Sequence, residues 1–263
     1  MDFGMPTLIE SKSLEECAAL CRELGLKFIE LSMEMPEYHP ERIGMERLAE
    51  AAEKYGIYYT LHFEDGMNPW AGNERVAAAY TETVMRTIET AKRLSIPVLN
   101  MHFYEGTYFT LPDRKVYVYK EYFSEFIRKV AEFRYDCTEA IGNSGIKITV
   151  ENTRAFMADF VAEGIDVLLQ SPVFGLTFDT GHDAAHGFRQ FPLLERHIDR
   201  LCHMHLHDYS AERGDHLPIG EGMLDINRYL KLARERNCRV LLETKTAEGV
   251  RCSAARIKEM GLL

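Results

Sequence analysis

Short apolar runs rich in β-branched and aromatic residues recur along the chain. Each is separated from the next by a longer stretch whose apolar residues repeat at helical spacing. Eight such runs are legible, at 3–9, 28–32, 57–63, 98–103, 146–151, 175–179, 201–207 and 239–243. The amphipathic stretches that alternate with them fall at 13–24, 45–55, 74–94, 116–141, 159–169, 192–198, 227–236 and 253–260. Ser13 followed by Glu16 has the spacing of a capping box. Gly25, Gly56 and Gly142 stand just past helical runs, where a left-handed residue is wanted.

Strict strand-then-helix alternation implies parallel strands joined by right-handed crossovers, in either an open doubly wound sheet or a closed barrel. Eight units favour the barrel, and no Gly-x-Gly-x-x-Gly follows the first run and no phosphate-binding loop appears. The expectation is an α/β protein with a single (β/α)8 TIM barrel domain over residues 1–263. A chain of this length accommodates one barrel of about 250 residues without a second domain.

Composition narrows the function classes. With 46% hydrophobic and 27% charged residues, and 31 basic against 41 acidic side chains, the chain has a soluble, globular balance and a formal charge of −10. That sign argues against a nucleic-acid surface, which needs clustered Lys and Arg to neutralise phosphates. No apolar run approaches the roughly 20 residues of a bilayer span, and the start, Met1-Asp2-Phe3-Gly4, lacks a positive region before an apolar one. Neither export nor membrane anchoring is expected. Six cysteines, neither dense nor paired like zinc knuckles, fit the reduced thiols of a cytoplasmic protein, with Cys17 and Cys21 as small buried hydrophobes.

In an eightfold barrel the site forms where the strands end at their carboxyl edge. Here the runs end in Leu61-His62-Phe63, Met101-His102-Phe103, Val150-Glu151-Asn152, Phe178-Asp179-Thr180-Gly181-His182, His205-Leu206-His207-Asp208 and Leu242-Glu243-Thr244. Imidazole with carboxylate, and no thiol, suits a divalent ion such as Zn, Mn, Co, Fe or Mg. A lone His62 or His102 is more often a hydrogen-bonded core histidine. Glu151, Asp179 and Glu243 each cap an apolar run, and an unpaired charge buried there would be costly. Together with His205 they form the candidate metal set. His203, His205 and His207 share one face of their strand by period-two alternation, so they cannot all bind one ion. His205 is the best placed, His203 lies deeper and His207 lies nearer solvent. The glycines and proline of residues 214–222 fix a turn that brings His216 back over the rim. His39, His186 and His197 fall outside the strand ends, and packing or surface roles are the default for them.

These motifs, together with His216-Leu217-Pro218-Ile219-Gly220-Glu221-Gly222, resemble the xylose isomerase-like barrels, a family that includes sugar-phosphate isomerases, epimerases and endonuclease IV. The resemblance runs from the first strand to Glu243. It implies that Glu151, Asp179, His205 and Glu243 hold one divalent ion. It also implies that, as in the trinuclear zinc members, His62, His102, His182 and His216 are additional ligands. Those members carry an Asp two residues before the last His, where this chain has Gly214, with Asp215 next door.

The resemblance further implies a sugar isomerase or epimerase. In it, a divalent ion chelating a carbonyl and its neighbouring hydroxyl acidifies a carbon-bound proton. Glu151 and Glu243 serve as base and acid from opposite faces, and His182 orients substrate. Trp70, Tyr104 and His207 are weaker candidates for contacting a carbohydrate-like substrate, and Phe103, Tyr108 and Phe109 are further rim aromatics. An endonuclease IV-like phosphodiesterase is the alternative, opposed by the acidic loops around Glu34, Glu37, Glu41, Glu64 and Asp65. A dehydratase or lyase shares the first proton abstraction. A non-catalytic sensor would need the same rim without a competent base, and the presence of both Glu151 and Glu243 counts modestly against it.

Overall fold

The computed structural model describes residues 1–263, and all eight apolar runs become strands of one closed parallel barrel. They are β1 (Phe3–Pro6), β2 (Phe28–Ser32), β3 (Tyr58–His62), β4 (Val98–His102), β7 (Lys147–Glu151), β8 (Phe174–Asp179), β9 (Leu201–Leu206) and β12 (Arg239–Leu242). Around the barrel their order is β1-β12-β9-β8-β7-β4-β3-β2, which is chain order followed to closure. The crossovers carry α1 (Leu14–Glu23), α2 (Met45–Tyr55), α3 (Glu74–Leu94), α5 (Phe123–Ile141), α6 (Asp159–Leu169), α8 (Phe191–Arg196) and α9 (Ile226–Glu235), and α10 (Ala247–Glu259) follows the last strand. Ser13 caps α1 by accepting from Glu16 N at 3.3 Å. The Glu16 carboxylate returns to Lys12 N at 2.6 Å, one residue short of the reciprocal partner.

Three departures from the sequence pattern have local causes. Residues 115–117 pair in antiparallel fashion with 108–110 as β6 (Lys115–Tyr117) and β5 (Tyr108–Thr110), so the helix expected from 116 begins later. After the short α4 (Val118–Glu121), non-helical backbone at Tyr122 separates it from α5. The loop expected at 214–222 begins as a hairpin, β10 (Asp208–Ser210) against β11 (Gly214–Leu217). The last helix starts six residues before the expected 253, because Thr246 caps it by accepting from Gly249 N at 3.1 Å.

The apolar stripes of the helices and the outward faces of the strands form one continuous core that includes the buried thiols Cys17, Cys21, Cys137 and Cys238. The barrel interior differs from the usual branched aliphatic filling. Glu30, Thr60, Asn100, Thr149, Thr177 and His203 are buried there. Thr60 Oγ1 and His203 Nε2 bond Glu30 Oε2 at 2.8 and 2.9 Å. Thr149 and Thr177 hydroxyls donate to Asn100 Oδ1 at 3.0 and 2.6 Å. This hydrogen-bonded layer is the floor on which the strand-end residues stand.

Candidate metal centre

Parallel strands deliver their last residues to one rim, and register sets which of them meet. Glu151 ends β7 beside His102 of β4, while Asp179 ends β8 beside His205 of β9. Glu243 follows the last residue of β12. Glu151, Asp179 and His205 are essentially sealed from solvent, whereas the Glu243 side chain keeps a 12% exposure that connects the cluster to the cleft above it.

Ligand atoms of Glu151, Asp179, His205 and Glu243 all lie within 4.8 Å of one another. His205 Nδ1 stands 2.9 Å from Glu243 Oε2, 3.3 Å from Glu151 Oε2 and 4.0 Å from Asp179 Oδ2. Despite this proximity, His205 Nδ1 and Glu243 Oε2 are buried with no hydrogen-bond partner. Buried polar atoms normally find partners, and three carboxylates packed together need positive charge. The donor set and its orphaned atoms therefore fit a divalent cation bound among them.

The surrounding groups respond to that concentration of negative charge. Burial alone would raise the Glu151 carboxyl, but His205, His102 and His182 hold it well below the carboxylate range. Burial likewise opposes ionisation of Glu243, and His205 with Lys245 outweighs it. Burial disfavours charge on His62 and His182, yet Glu151 lifts His62 to about 9, and Asp179 with Glu151 lifts His182 to about 10.

The remaining expected ligands flank the quartet. His62 Nε2 and His102 Nε2 approach Glu151 Oε2 at 3.3 and 3.5 Å, and Asp65 Oδ1 stands 3.3 Å behind His102 at Nδ1. His182 lies in the first turn of α7 (Thr180–Ala185), whose N-cap is Asp179, and its ring Nδ1 lies 3.2 Å from Glu151 Oε1. His216 lines the cleft, with its ring Nδ1 3.2 Å from Glu243 O. Asp215, next to Gly214, brings a carboxylate to these rings, the ligand atoms of His182, Asp215 and His216 lying within 4.8 Å of one another.

Two expected substrate contacts are not where substrate could reach them. Trp70 is fully buried, stacked on Phe103 with centroids 4.4 Å apart and donating from Nε1 to Tyr104 O at 2.9 Å. His207, expected nearer solvent, is fully buried against Asp179 because the β10–β11 hairpin closes over it. Tyr104 packs on the edge of the core, and neither it nor Phe103, Tyr108 or Phe109 borders the cleft. The cleft has a volume of about 300 Å³. Its walls include Glu34, Asp65, His62, His182, Glu243 and Lys245.

Three residues that the strand-end rule overlooks complete the site. Glu30 Oε1 lies 2.9 Å from His205 Nε2, although off the line of the ring N–H. Asn100 Nδ2 donates to Glu151 Oε2 at 2.5 Å. Lys245 Nζ bonds Glu243 Oε1 at 2.6 Å. For Glu30 and Asn100 the available signal was a carboxylate or amide inside an apolar strand, which has to be paired if it is buried, whereas Lys245 lies beyond the end of β12 and carried no such signal.

Comparison with known proteins agrees with this architecture. Residues 18–260 match a family model described as xylose isomerase-like TIM barrel. An uncharacterized protein of Methanocaldococcus jannaschii is 27% identical over 246 residues, covering 89% of this chain and 80% of that protein. A D-tagatose 3-epimerase-like protein superposes with a TM-score of 0.76 at 25% identity, over 99% of this chain and 95% of its own. The zinc-bound IOLI protein superposes with a TM-score of 0.72 at 18% identity, over 100% and 98%.

Proposed function

From a chain that belongs to the xylose isomerase-like TIM barrel family, we propose a divalent-metal-dependent epimerase or isomerase acting on a small carbohydrate-like ketone. The observation that carries this is the buried quartet Glu151, Asp179, His205 and Glu243, with two of its facing atoms unpartnered, at the base of a cleft of small-molecule size. Its likeness to an epimerase-like protein at 25% identity adds support.

The four residues would hold the ion. When bound, the ion supplies Lewis-acid polarisation of a substrate carbonyl and its neighbouring hydroxyl. Glu151 and Glu243 approach from different strands and act as the base and acid that remove and return a carbon-bound proton. Asn100 holds Glu151 by Oε2, the oxygen facing His205, while Lys245 holds Glu243 by Oε1, the oxygen turned away from it, and these bonds fix how the two carboxylates are presented. His182, at the rim of the cleft, orients a substrate hydroxyl.

The flanking clusters His62–Asp65–His102 and His182–Asp215–His216 favour a second reading, a multi-metal phosphodiesterase. Against it, the cleft wall carries Glu30, Glu34, Asp65, Glu151 and Glu243, with Lys245 as its one Lys or Arg side chain. Such a wall repels a polyanionic backbone. Metal analysis combined with solvent-deuterium exchange across ketoses, keto-inositols and hydroxy acids tests the proposal. Metal-dependent exchange is expected. Cleavage of abasic DNA without exchange would transfer the assignment to the phosphodiesterase, and loss of water after exchange would transfer it to a dehydratase.

A further inference from the structure

We infer that His207 is a positioning residue whose ring donates from Nε2 to Asp179 and fixes how that carboxylate faces the quartet. The inference rests on the metal reading above but concerns a residue outside the ligand set. His207 Nε2 lies 3.1 Å from each oxygen of Asp179. The backbone N–H of His216 points at Nδ1 from 2.8 Å, so Nδ1 accepts and the ring proton sits on Nε2. The other neighbour of Nδ1, Asp208 O, is farther away at 3.4 Å.

Two separate segments, the β10–β11 hairpin and α7, hold the ring in place. On the β10–β11 hairpin, His216 adopts a left-handed backbone with φ of 55° and stacks its own ring on His207, with centroids 4.3 Å apart. Thr180, at the start of α7, donates its hydroxyl to His207 O at 3.0 Å. At Gly181 a Cβ would stand 2.0 Å from His207 Cε1, so the close approach of ring and helix requires glycine. The ring does lie near His216 and Glu243, a combination that could itself take an ion. With Nε2 directed at Asp179 and Nδ1 occupied, however, the geometry assigns His207 to Asp179. Partners that orient a ligand in this way commonly change metal affinity by about 10- to 100-fold when removed.

The test uses the full chain with 15N-labelled histidine. NMR of the metal-free and zinc-loaded protein should show His207 protonated at Nε2 in both. Chelator competition should show zinc binding weakened about 10- to 100-fold in His207→Ala and largely restored in His207→Gln, which keeps an N–H donor at the same reach. The thermal midpoints of the metal-free variants report any folding loss separately. A proton on Nδ1, zinc affinity of His207→Ala within about twofold of the parent, or His207→Gln no tighter than His207→Ala would each overturn the inference. If His207→Ala does not fold, the parent tautomer and His207→Gln decide. A parent chain that takes up no zinc overturns the metal assignment and this inference together, before any variant is compared.

Discussion

Glu151 and Glu243 occupy similar positions at strand ends, yet their surroundings divide their roles. Glu151 is sealed and shared among four histidines, whereas Glu243 is tethered by Lys245 at the cleft wall. Replacing Glu151 with Gln should abolish stoichiometric metal binding, as read by metal analysis of the purified protein. Glu243→Gln should lower proton exchange by at least about 100-fold, the lower end of what a positioned acid or base contributes. A protonic consequence follows from His62 and His182, lifted to about 9 and about 10 in the metal-free protein. Below those values both carry protons, and a cation entering the cluster drives them off. Metal affinity should therefore rise with pH up to about 9 to 10. Calorimetry at pH 8 in buffers of different ionisation enthalpy should detect protons released on binding. The strand-end cluster was legible because charge at the mouth of an apolar strand has few explanations. Glu30 was not, since it lies in the middle of Phe28-Ile29-Glu30-Leu31-Ser32 and its partners His203 and His205 are about 170 residues away. Trp70 misled for the converse reason: its acidic loop looks solvated, yet its ring packs inward on Phe103.

The β8–α7 junction does the most to shape the site. Asp179 ends the strand and also caps the helix, accepting from His182 N at 2.6 Å, so one residue both joins the quartet and sets the direction in which His182 leaves. Gly181→Ala should disturb both, because its methyl would enter the His207 ring. Overpacking of this kind costs about 1–3 kcal/mol, and denaturant unfolding with and without metal should show the loss together with weakened metal binding. The eight strands and most helices could be read from periodicity, which local sequence encodes directly. The two hairpins could not. Val116 and Tyr117 continue a plausible helical stripe, and only pairing with Phe109 and Tyr108 makes them strand. The β10–β11 pairing, which seals His207, likewise depends on contacts that composition does not display.

For the molecule as a whole, the charge of −10 acquires a location: a barrel mouth crowded with carboxylates that a cation would offset. No helix is long and apolar enough to cross a membrane. Metal should therefore bind the folded chain far better than the unfolded one. At a free concentration 100-fold above Kd it should add about 2.7 kcal/mol of stability, a rise in Tm of roughly 5–10 °C that chelation reverses. The most direct measurement is deuterium uptake from D2O into a ketose panel by metal-loaded protein, with Glu243→Gln alongside. The expected result is metal-dependent incorporation at the carbon beside the carbonyl of at least one substrate, lost on chelation and in Glu243→Gln. Exchange that survives both chelation and Glu243→Gln, or no exchange into any member of the panel by a fully metallated chain, would contradict proton abstraction at this site.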